Sequence, residues 1–156
     1  DDGDRLVGFG PCADDYDLVF ISTDAQLLRT PASKVRPQGR TAGGMAGMKL
    51  NDDAHALGFW ALPVSSDSFV VTVAAAEGQT TAKVTPLELY PVKGRGGQGV
   101  RAQRFLRGED RIDLAWVGDR QPRGASADGS PVDLPDVDER RDGSGTPVVL
   151  PITLIG

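Results

Sequence analysis

The 156-residue chain has few of the residues from which most catalytic and metal sites are built. It contains one cysteine, Cys12, and one histidine, His55, so neither an internal disulfide nor a cysteine-based zinc site can form. Nothing in the sequence brings these two side chains together as nucleophile and base. We therefore predict no catalytic residue, no metal site and no cofactor in this chain.

Long apolar runs are also missing. No uninterrupted apolar stretch approaches the roughly 20 residues that span a bilayer, and the acidic start lacks the character of a signal peptide. The lone cysteine favours a reducing compartment. The sequence thus predicts a soluble, cytoplasmic protein with no membrane partner.

Turn-forming residues, by contrast, are abundant. The chain has 20 glycines and 11 prolines, while aromatic residues make up only 6%. Together with many valines and threonines, this composition favours short strands separated by turns over long helices. The length suits one domain with a sizeable core. We predict an all-β fold in a single domain over residues 1–156.

An internal repeat organises the sequence. Six positions recur 55 residues later: Pro31, Gly39, Arg40, Gly44, Lys49 and Leu50 return as Pro86, Gly94, Arg95, Gly99, Arg104 and Phe105. Similar acidic openings, each followed by an apolar strand, lie at Asp4–Phe9, Asp53–Phe59 and Asp110–Trp116. We predict three units, 4–50, 53–106 and 110–156, of which the third is degenerate.

Each clear unit contains a hairpin pattern. Strands are predicted over Leu18–Ile21 and Gln26–Arg29 in the first unit, and over Phe69–Val73 and Gln79–Val84 in the second. Units of roughly 50 residues with about four strands are typical of propeller-like folds. We expect a β-pinwheel or propeller-like array of four-stranded antiparallel blades, two clear and one degenerate.

The third unit is harder to interpret. Ser126–Gly129 resembles the turn sequence Ser22–Ala25, but residues 118–146 are rich in Asp, Gly, Pro, Arg and Ser and predict an irregular acidic insertion. The apolar run Val148–Ile155 is predicted to dock as a strand, closing the array or pairing with another copy.

Charge is sorted along the chain although the net charge is -5. No acid lies between Ala25 and Asn51, and only Glu88 lies between Gly78 and Arg107. Acidic residues are concentrated instead at the start of the chain, from Asp1 and Asp2 to Asp17, and again from Glu109 to Asp142. The candidate DNA-binding cations in the two basic blocks are Arg29, Lys34, Arg36, Arg40, Lys49, Lys83, Lys93, Arg95, Arg101 and Arg104.

Cations and glycines at repeated positions suit a phosphate backbone. Each cation can neutralise a phosphate and release a counterion, and glycines allow close approach of backbone N–H groups. Such contacts position DNA without reading bases. We therefore expect non-sequence-specific duplex DNA binding and bending. Asp133, Asp136 and Asp138 replace cations in the third unit, which should not bind phosphate, and its acidic insertion should compete with DNA.

A different class of protein also fits the charge pattern. A propeller-like interaction scaffold could use the same basic rim to bind an acidic protein partner. Two narrower interpretations are rejected by context. Gly94, Gly96 and Gly99 match a dinucleotide fingerprint, but no buried strand precedes them and no helix pattern follows. Asp136 and Asp138 fit a solvated acidic loop better than a magnesium site.

The repeated motif resembles that of a known family. Gly94, Arg95, Gly96, Gly97, Gln98 and Gly99, preceded by Tyr90–Lys93, resemble the glycine-arginine box of the C-terminal domain of the gyrase A subunit. The first unit, with Arg36–Arg40 and Gly47–Leu50, is similar to the blade motif of the same β-pinwheel fold. The resemblance covers most of the chain, from about Asp4 to Trp116, and extends weakly over the remainder.

The resemblance implies a C-terminal DNA-binding β-pinwheel domain of a bacterial type IIA topoisomerase A subunit. Its outer rim would carry bent DNA and guide strand passage by the full ATP-dependent enzyme, whose ATPase subunit would be a partner together with the rest of the A subunit. Neither Tyr16 nor Tyr90 lies in a motif like the strand-passing one, so this chain alone should not cleave DNA. Departures from the gyrase box at Lys93, Gly94 and Gln98 favour topoisomerase IV over gyrase.

Overall fold

The structure, a computed structural model, describes residues 3–65 and 67–156, so Asp1 and Asp2 of the acidic start lie outside the described residues. The strands are β1 Asp17–Ser22, β2 Gln26–Pro31, β3 Ala56–Leu62, β4 Phe69–Ala76, β5 Gln79–Pro86, β6 Val100–Arg101, β7 Ile112–Gly118, β8 Gly124–Ala125, β9 Pro131–Val132, β10 Thr146–Val148 and β11 Leu154–Ile155. Two 3-10 turns, Ala32–Lys34 and Leu87–Leu89, follow β2 and β5. Within the described ranges no helix is long and apolar enough to cross a membrane.

The first two sheets share one arrangement. Their strand orders are β3-β1-β2-β6 and β7-β4-β5-β10, and every named pair is antiparallel. Each is built on a hairpin, β1–β2 or β4–β5, whose alternating residues face opposite sides. The all-β fold with two four-stranded antiparallel blades is confirmed.

The third sheet is smaller and has the order β11-β8-β9. Its β8–β9 turn repeats the β1–β2 turn. Ser126 Oγ donates to Asp128 Oδ1 (2.6 Å) and to the Ser130 carbonyl. In the first hairpin Ser22 Oγ donates in the same way to Asp24 and to the Gln26 carbonyl. The predicted resemblance of the two turns is confirmed. The prediction of an irregular insertion over 118–146 is wrong where β8, β9 and the start of β10 form.

Neighbouring units interlock through their outer strands. Strand β6 follows the second hairpin in the chain but pairs with β2 of the first sheet. Strand β10 follows the third hairpin and pairs with β5 of the second sheet. Equivalent parallel bridges, Arg29 with Val92 and Val84 with Val137, precede these strands. Each four-stranded sheet is therefore completed by residues that lie one unit later in the sequence.

The two ends of the described chain differ in their pairing. The terminal apolar run docks, but as parts of two strands and not as the single predicted strand, because Val148 belongs to β10 of the second sheet and Leu154–Ile155 pairs with β8 of the third. The predicted strand after Asp4 is absent, and Leu6 and Phe9 are 79% and 87% exposed. The equivalent strands β3 and β7 pair with the first strand of the preceding hairpin, and the described residues before Leu6 contain no hairpin.

The hydrophobic core lies between the sheets. Val19, Ile21 and Leu27 of the first sheet pack with Val70 of the second, while the adjacent Val71 packs with residues of the third sheet. The middle sheet is therefore covered on both faces, which is the burial pattern of stacked blades. Burying each such valine contributes about 1.5–3 kcal/mol.

Candidate nucleic-acid interface

The predicted glycine-arginine box is held against the edge of the first sheet. Lys93 N donates to the Arg29 carbonyl (2.8 Å) at one end, and Val100 pairs with Leu27 at the other. Gly99 has φ 86°, and a Cβ at this position would overlap the Leu27 carbonyl. Only glycine fits there, so Gly99 is what allows the second box, Gly94–Gly99, to lie against β2.

The end of the first unit packs onto this second box. Gly96 N donates to the Gly47 carbonyl (2.6 Å), and Lys49 N donates to the Gly97 carbonyl (2.9 Å). Arg95 Nη1 donates to the Ala46 carbonyl (3.2 Å). We call this contact between 46–49 and 95–97 the first junction. It brings Lys49 and Arg95, which are 46 residues apart in the sequence, onto one surface.

The same contact recurs one unit later. Arg104 N donates to the Gly143 carbonyl (3.0 Å), and Arg104 Nε lies 3.3 Å from Ser144 Oγ. A Cβ on Gly145 would lie 2.7 Å from Thr81 Oγ1. Gly145 is therefore packed closely against β5, as Gly99 is against β2. Residues Arg140–Gly145 therefore form a third box, and its contact with Arg104 is the second junction.

Sequence reasoning missed the third box. The expectation that the third unit lacks cations was based on Asp133, Asp136 and Asp138, and it is wrong because Arg140 and Arg141 occupy the structurally equivalent segment. The signal was present as Gly143-Ser144-Gly145, which matches Gly97-Gln98-Gly99. It lies 46 residues later, and a search at a spacing of 55 does not find it.

Eight of the ten predicted cations are exposed: Lys34, Arg36, Arg40, Lys49, Lys93, Arg95, Arg101 and Arg104. Arg36 and Arg40 lie in an open loop after the first 3-10 turn, apart from the junctions. Arg101 connects the junctions, because its carbonyl accepts a hydrogen bond from Arg141 Nη1 (3.0 Å). Hydrogen bonds of backbone and side-chain groups thus link the segments that carry Lys49, Arg95, Arg101, Arg104 and Arg141.

Arg29 and Lys83 are corrections to the predicted set. The Arg29 side chain is 14% exposed and forms an ion pair with Asp17 (2.6 Å), and its Nη1 donates to the Leu87 and Tyr90 carbonyls. Lys83 is 2% exposed. Burial lowers the pKa of Lys83 to about 8, although Asp138 and Asp142 oppose the shift. Neither cation is available to a phosphate at the surface.

Acidic residues flank the third box. Asp138 lies 3.3 Å from Arg140 Nε in a pair whose arginine side chain is 82% exposed, so the pair contributes little to stability. Burial opposes ionisation of Asp138, but hydrogen bonds from the Arg140 backbone and side chain, together with Lys83, lower its pKa overall. This carboxylate therefore stays charged at neutral pH and weakens the positive potential beside Arg140.

A cleft elsewhere on the surface is acidic, in contrast to the cationic junctions. An open cleft of ≈ 840 Å³ is lined by Asp24, Asp52, Asp53, Asp110 and Asp113, with Arg111 and His55 among the other lining residues. Among the described residues no group of His, Cys, Asp and Glu side chains is arranged to hold a metal ion. Phosphate would be repelled from this cleft, which leaves the junctions as the candidate interface.

Interlocked four-stranded sheets joined by repeated glycine-cation boxes define a module of the kind found at the C-terminus of type II topoisomerase A subunits. The family model "DNA gyrase C-terminal domain, beta-propeller" matches residues 16–58 and 81–115. The chain belongs to this family.

Gyrase A subunits are among the proteins of similar sequence. The chain is 38% identical over 120 residues to the DNA gyrase A subunit of Mycobacterium tuberculosis, covering 76% of this chain and 14% of that protein. It is 41% identical to the Mycobacterium leprae protein, of which it covers 9%. It is 37% identical over 112 residues to topoisomerase subunit TopoM of Mycolicibacterium smegmatis, of which it covers 15%. The chain thus spans a small part of each relative.

Solved structures show the same fold. The C-terminal domain of DNA topoisomerase IV matches with a TM-score of 0.69 at 18% identity, over 92% of this chain and 46% of that one. The C-terminal domain of DNA gyrase A matches with a TM-score of 0.63 at 17% identity, over 89% and 49%. The preference for topoisomerase IV over gyrase drawn from the box sequence is not supported, since gyrase A subunits are among the sequence relatives.

Proposed function

We propose that this chain binds duplex DNA through the cations of its two junctions, as the C-terminal domain of a type II topoisomerase A subunit. The observation that carries the proposal is one backbone contact that recurs with a cation at each equivalent position. Lys49 corresponds to Arg104, and Arg95 corresponds to Arg141. A repeated contact gives a repeated spacing of positive charge, which suits a polymer of phosphates.

The chemistry of the junctions fits phosphate more than bases. Arginine and lysine at the surface release counterions when they neutralise phosphates, and a guanidinium can bind phosphate oxygens with two hydrogen bonds. The junctions carry no aromatic side chain for stacking on bases. We therefore expect binding of similar strength to duplexes of different sequence.

We further propose that a duplex in contact with both junctions is bent. Smooth bending of a short site costs on the order of 1–6 kcal/mol, which several phosphate contacts can offset. In the full enzyme, which works in the cytoplasm, this domain would guide the bent segment toward strand passage by the rest of the A subunit and its partner, the ATPase subunit. Energy transfer between dyes at the two ends of a short duplex should rise on binding; an unchanged signal from bound duplex would contradict bending.

The binding test is a titration of labelled duplex across a salt series. The variant Lys49→Ala/Arg95→Ala/Arg101→Ala/Arg104→Ala should bind more weakly, with a log-log salt slope shallower by up to about 0.9 for each phosphate that is no longer neutralised. The matched control Arg5→Ala/Arg111→Ala/Arg120→Ala/Arg123→Ala removes the same charge from exposed positions outside the junctions. Its slope should remain close to that of the native chain.

The same two variants test the alternative of a protein-interaction scaffold. If the native chain does not bind duplex at low salt but binds polyglutamate, and only the junction variant loses that binding, the rim recognises an acidic polypeptide. Equal losses in the junction variant and the control would mean that net charge alone drives association, and the proposal would fail.

A further inference from the structure

A lysine is buried in the middle of the central sheet. Lys83 lies in β5, is 2% exposed, and has Ala82 and Val84 as buried neighbours. Burial of a lysine is rare and costs free energy unless its ammonium is hydrogen-bonded. An apolar side chain would fill this position at a lower cost of desolvation. A lysine at this position is therefore explained best if its ammonium has hydrogen-bond acceptors that an apolar side chain could not serve.

The partners are carbonyls of the two cationic segments. Lys83 Nζ donates to the Ala102 carbonyl (3.0 Å) and to the Arg141 carbonyl. Ala102 directly follows Arg101, and Arg141 belongs to the third box. Arg141 Nη1 in turn donates to the Arg101 carbonyl. These bonds form a closed ring that runs from buried Lys83 to the exposed Arg141–Arg101 contact and joins the second unit to the third box.

We propose that Lys83 is a positioning residue for DNA binding: its ammonium holds the third box beside the Arg101–Arg104 segment, so that both units present cations to one duplex at a fixed spacing. The inference rests on the proposed function and deepens it. Lys83 touches no DNA; it acts through the backbone of Arg141 and Ala102. Without it, Arg140 and Arg141 would keep their charge but lose the hydrogen bond that fixes the Arg141 backbone beside Ala102.

The groups that face Lys83 are those of the third box and its flank. Asp138 and Asp142 favour the charged ammonium, while Arg140 and Arg141 disfavour it. On the neighbouring strand β4, its partner across the sheet is the neutral Thr72. No other buried cation therefore competes for the two carbonyls in the described part of the chain.

The first arm of the test is Lys83→Met, which keeps volume and removes the donor. Duplex affinity should fall on the order of tenfold, and the salt slope should become shallower by about 0.9 for each phosphate that is no longer neutralised. Added to Arg140→Ala/Arg141→Ala, Lys83→Met should cause no further loss of affinity, because the side chains that it positions are already gone. Thr85→Val is the matched control: Thr85 is equally buried on β5 and contacts the Tyr90 hydroxyl (2.9 Å), so its substitution should leave the slope unchanged.

The second arm uses the native chain and needs no variant to fold. Between pH 7 and 9 the ammonium of Lys83 loses its proton, because its pKa is about 8, while Tyr90, whose pKa burial raises to about 12, stays protonated. Duplex affinity should fall over this range, because the neutral amine keeps two N–H donors but binds the two carbonyls more weakly than the charged ammonium. Stability should move the other way, because the folded-state pKa lies below the unfolded value and the unfolded chain binds more protons above pH 8. If Lys83 had only a structural role, duplex affinity would rise with pH together with the free energy of unfolding.

The outcomes separate the two proposals. If the native chain binds duplex but Lys83→Met binds with the same affinity and slope, or adds its full effect to the Arg140/Arg141 variant, the positioning role is overturned and the proposed function stands. If the native chain does not bind duplex, both fail. A fall in affinity that disappears in the Arg140/Arg141 background supports the positioning role.

Discussion

Gly99 shows at the level of one residue how the second box is fixed. Its φ is 86°, and a Cβ would overlap the Leu27 carbonyl, so Gly99→Ala should lower the free energy of unfolding by at least about 1 kcal/mol through backbone strain alone. Gly94 has open space around its Cα and no positive φ, and Gly94→Ala should be nearly neutral. Urea denaturation of both variants measures the difference; equal stabilities would contradict the assignment.

Residue types predicted the second box but not which cations are buried. The repeat alone predicted Arg95, Lys49 and their glycines, because these positions recur in register. It could not separate Lys83 and Arg29 from the exposed cations, since charge counts do not show which side of a strand faces a neighbouring sheet. The structure buries every residue from Thr81 to Leu87, and the only sign of this in the sequence is that Lys83 lies between the apolar residues Ala82 and Val84.

At the level of elements, the serine turns hold the hairpins. Ser22 is fully buried and bonded to Asp24 and the Gln26 carbonyl, whereas the equivalent bonds of Ser126 lie at the surface. Ser22→Ala should cost about 1–2 kcal/mol of unfolding free energy, because it leaves buried polar atoms without a partner. Ser126→Ala should cost less than about 1 kcal/mol. Chemical denaturation decides, and a reversed order would refute this account of the turns.

Long hairpins were predictable and short outer strands were not. The strands β1, β2, β4 and β5 follow from local alternation and from the turns between them. The short strands β6, β8 and β9 have no strand pattern of their own, and the apolar run Val148–Ile155 predicted one strand where the structure has parts of two, β10 and β11. Strands β6 and β10 exist because a strand of another unit, β2 or β5, offers free N–H and C=O groups at its edge.

The distribution of acids acts at the scale of the whole molecule. Deleting residues 118–146 would remove β8 and β9, so neutralisation is the cleaner test of competition with DNA. Asp133→Asn/Asp136→Asn/Glu139→Gln, all at exposed positions, should tighten duplex binding severalfold at low salt, because repulsion beside the third box is removed. The control Asp14→Asn/Asp15→Asn/Asp67→Asn changes net charge equally. If both variants tighten binding to the same degree, the effect belongs to net charge and not to the insertion.

The three-unit architecture was visible in the sequence, but the interlocking of units was not. A repeat of 55 residues gives the number of hairpins, yet it does not show that the strand after each box pairs with the sheet before it. The second and third boxes are also separated by only 46 residues, so a search at a spacing of 55 does not find the third box. The second junction was missed for this reason.

The central claim is that both junctions contact one duplex, and separate substitution of each junction tests it most directly. Salt-dependent binding would be compared for Lys49→Ala/Arg95→Ala, for Arg104→Ala/Arg141→Ala, and for the combined variant. The account predicts that each pair makes the log-log slope shallower by up to about 1.8, and that the two reductions add in the combined variant. A pair whose substitution leaves the slope unchanged would show that its junction does not contact DNA, and would contradict the claim.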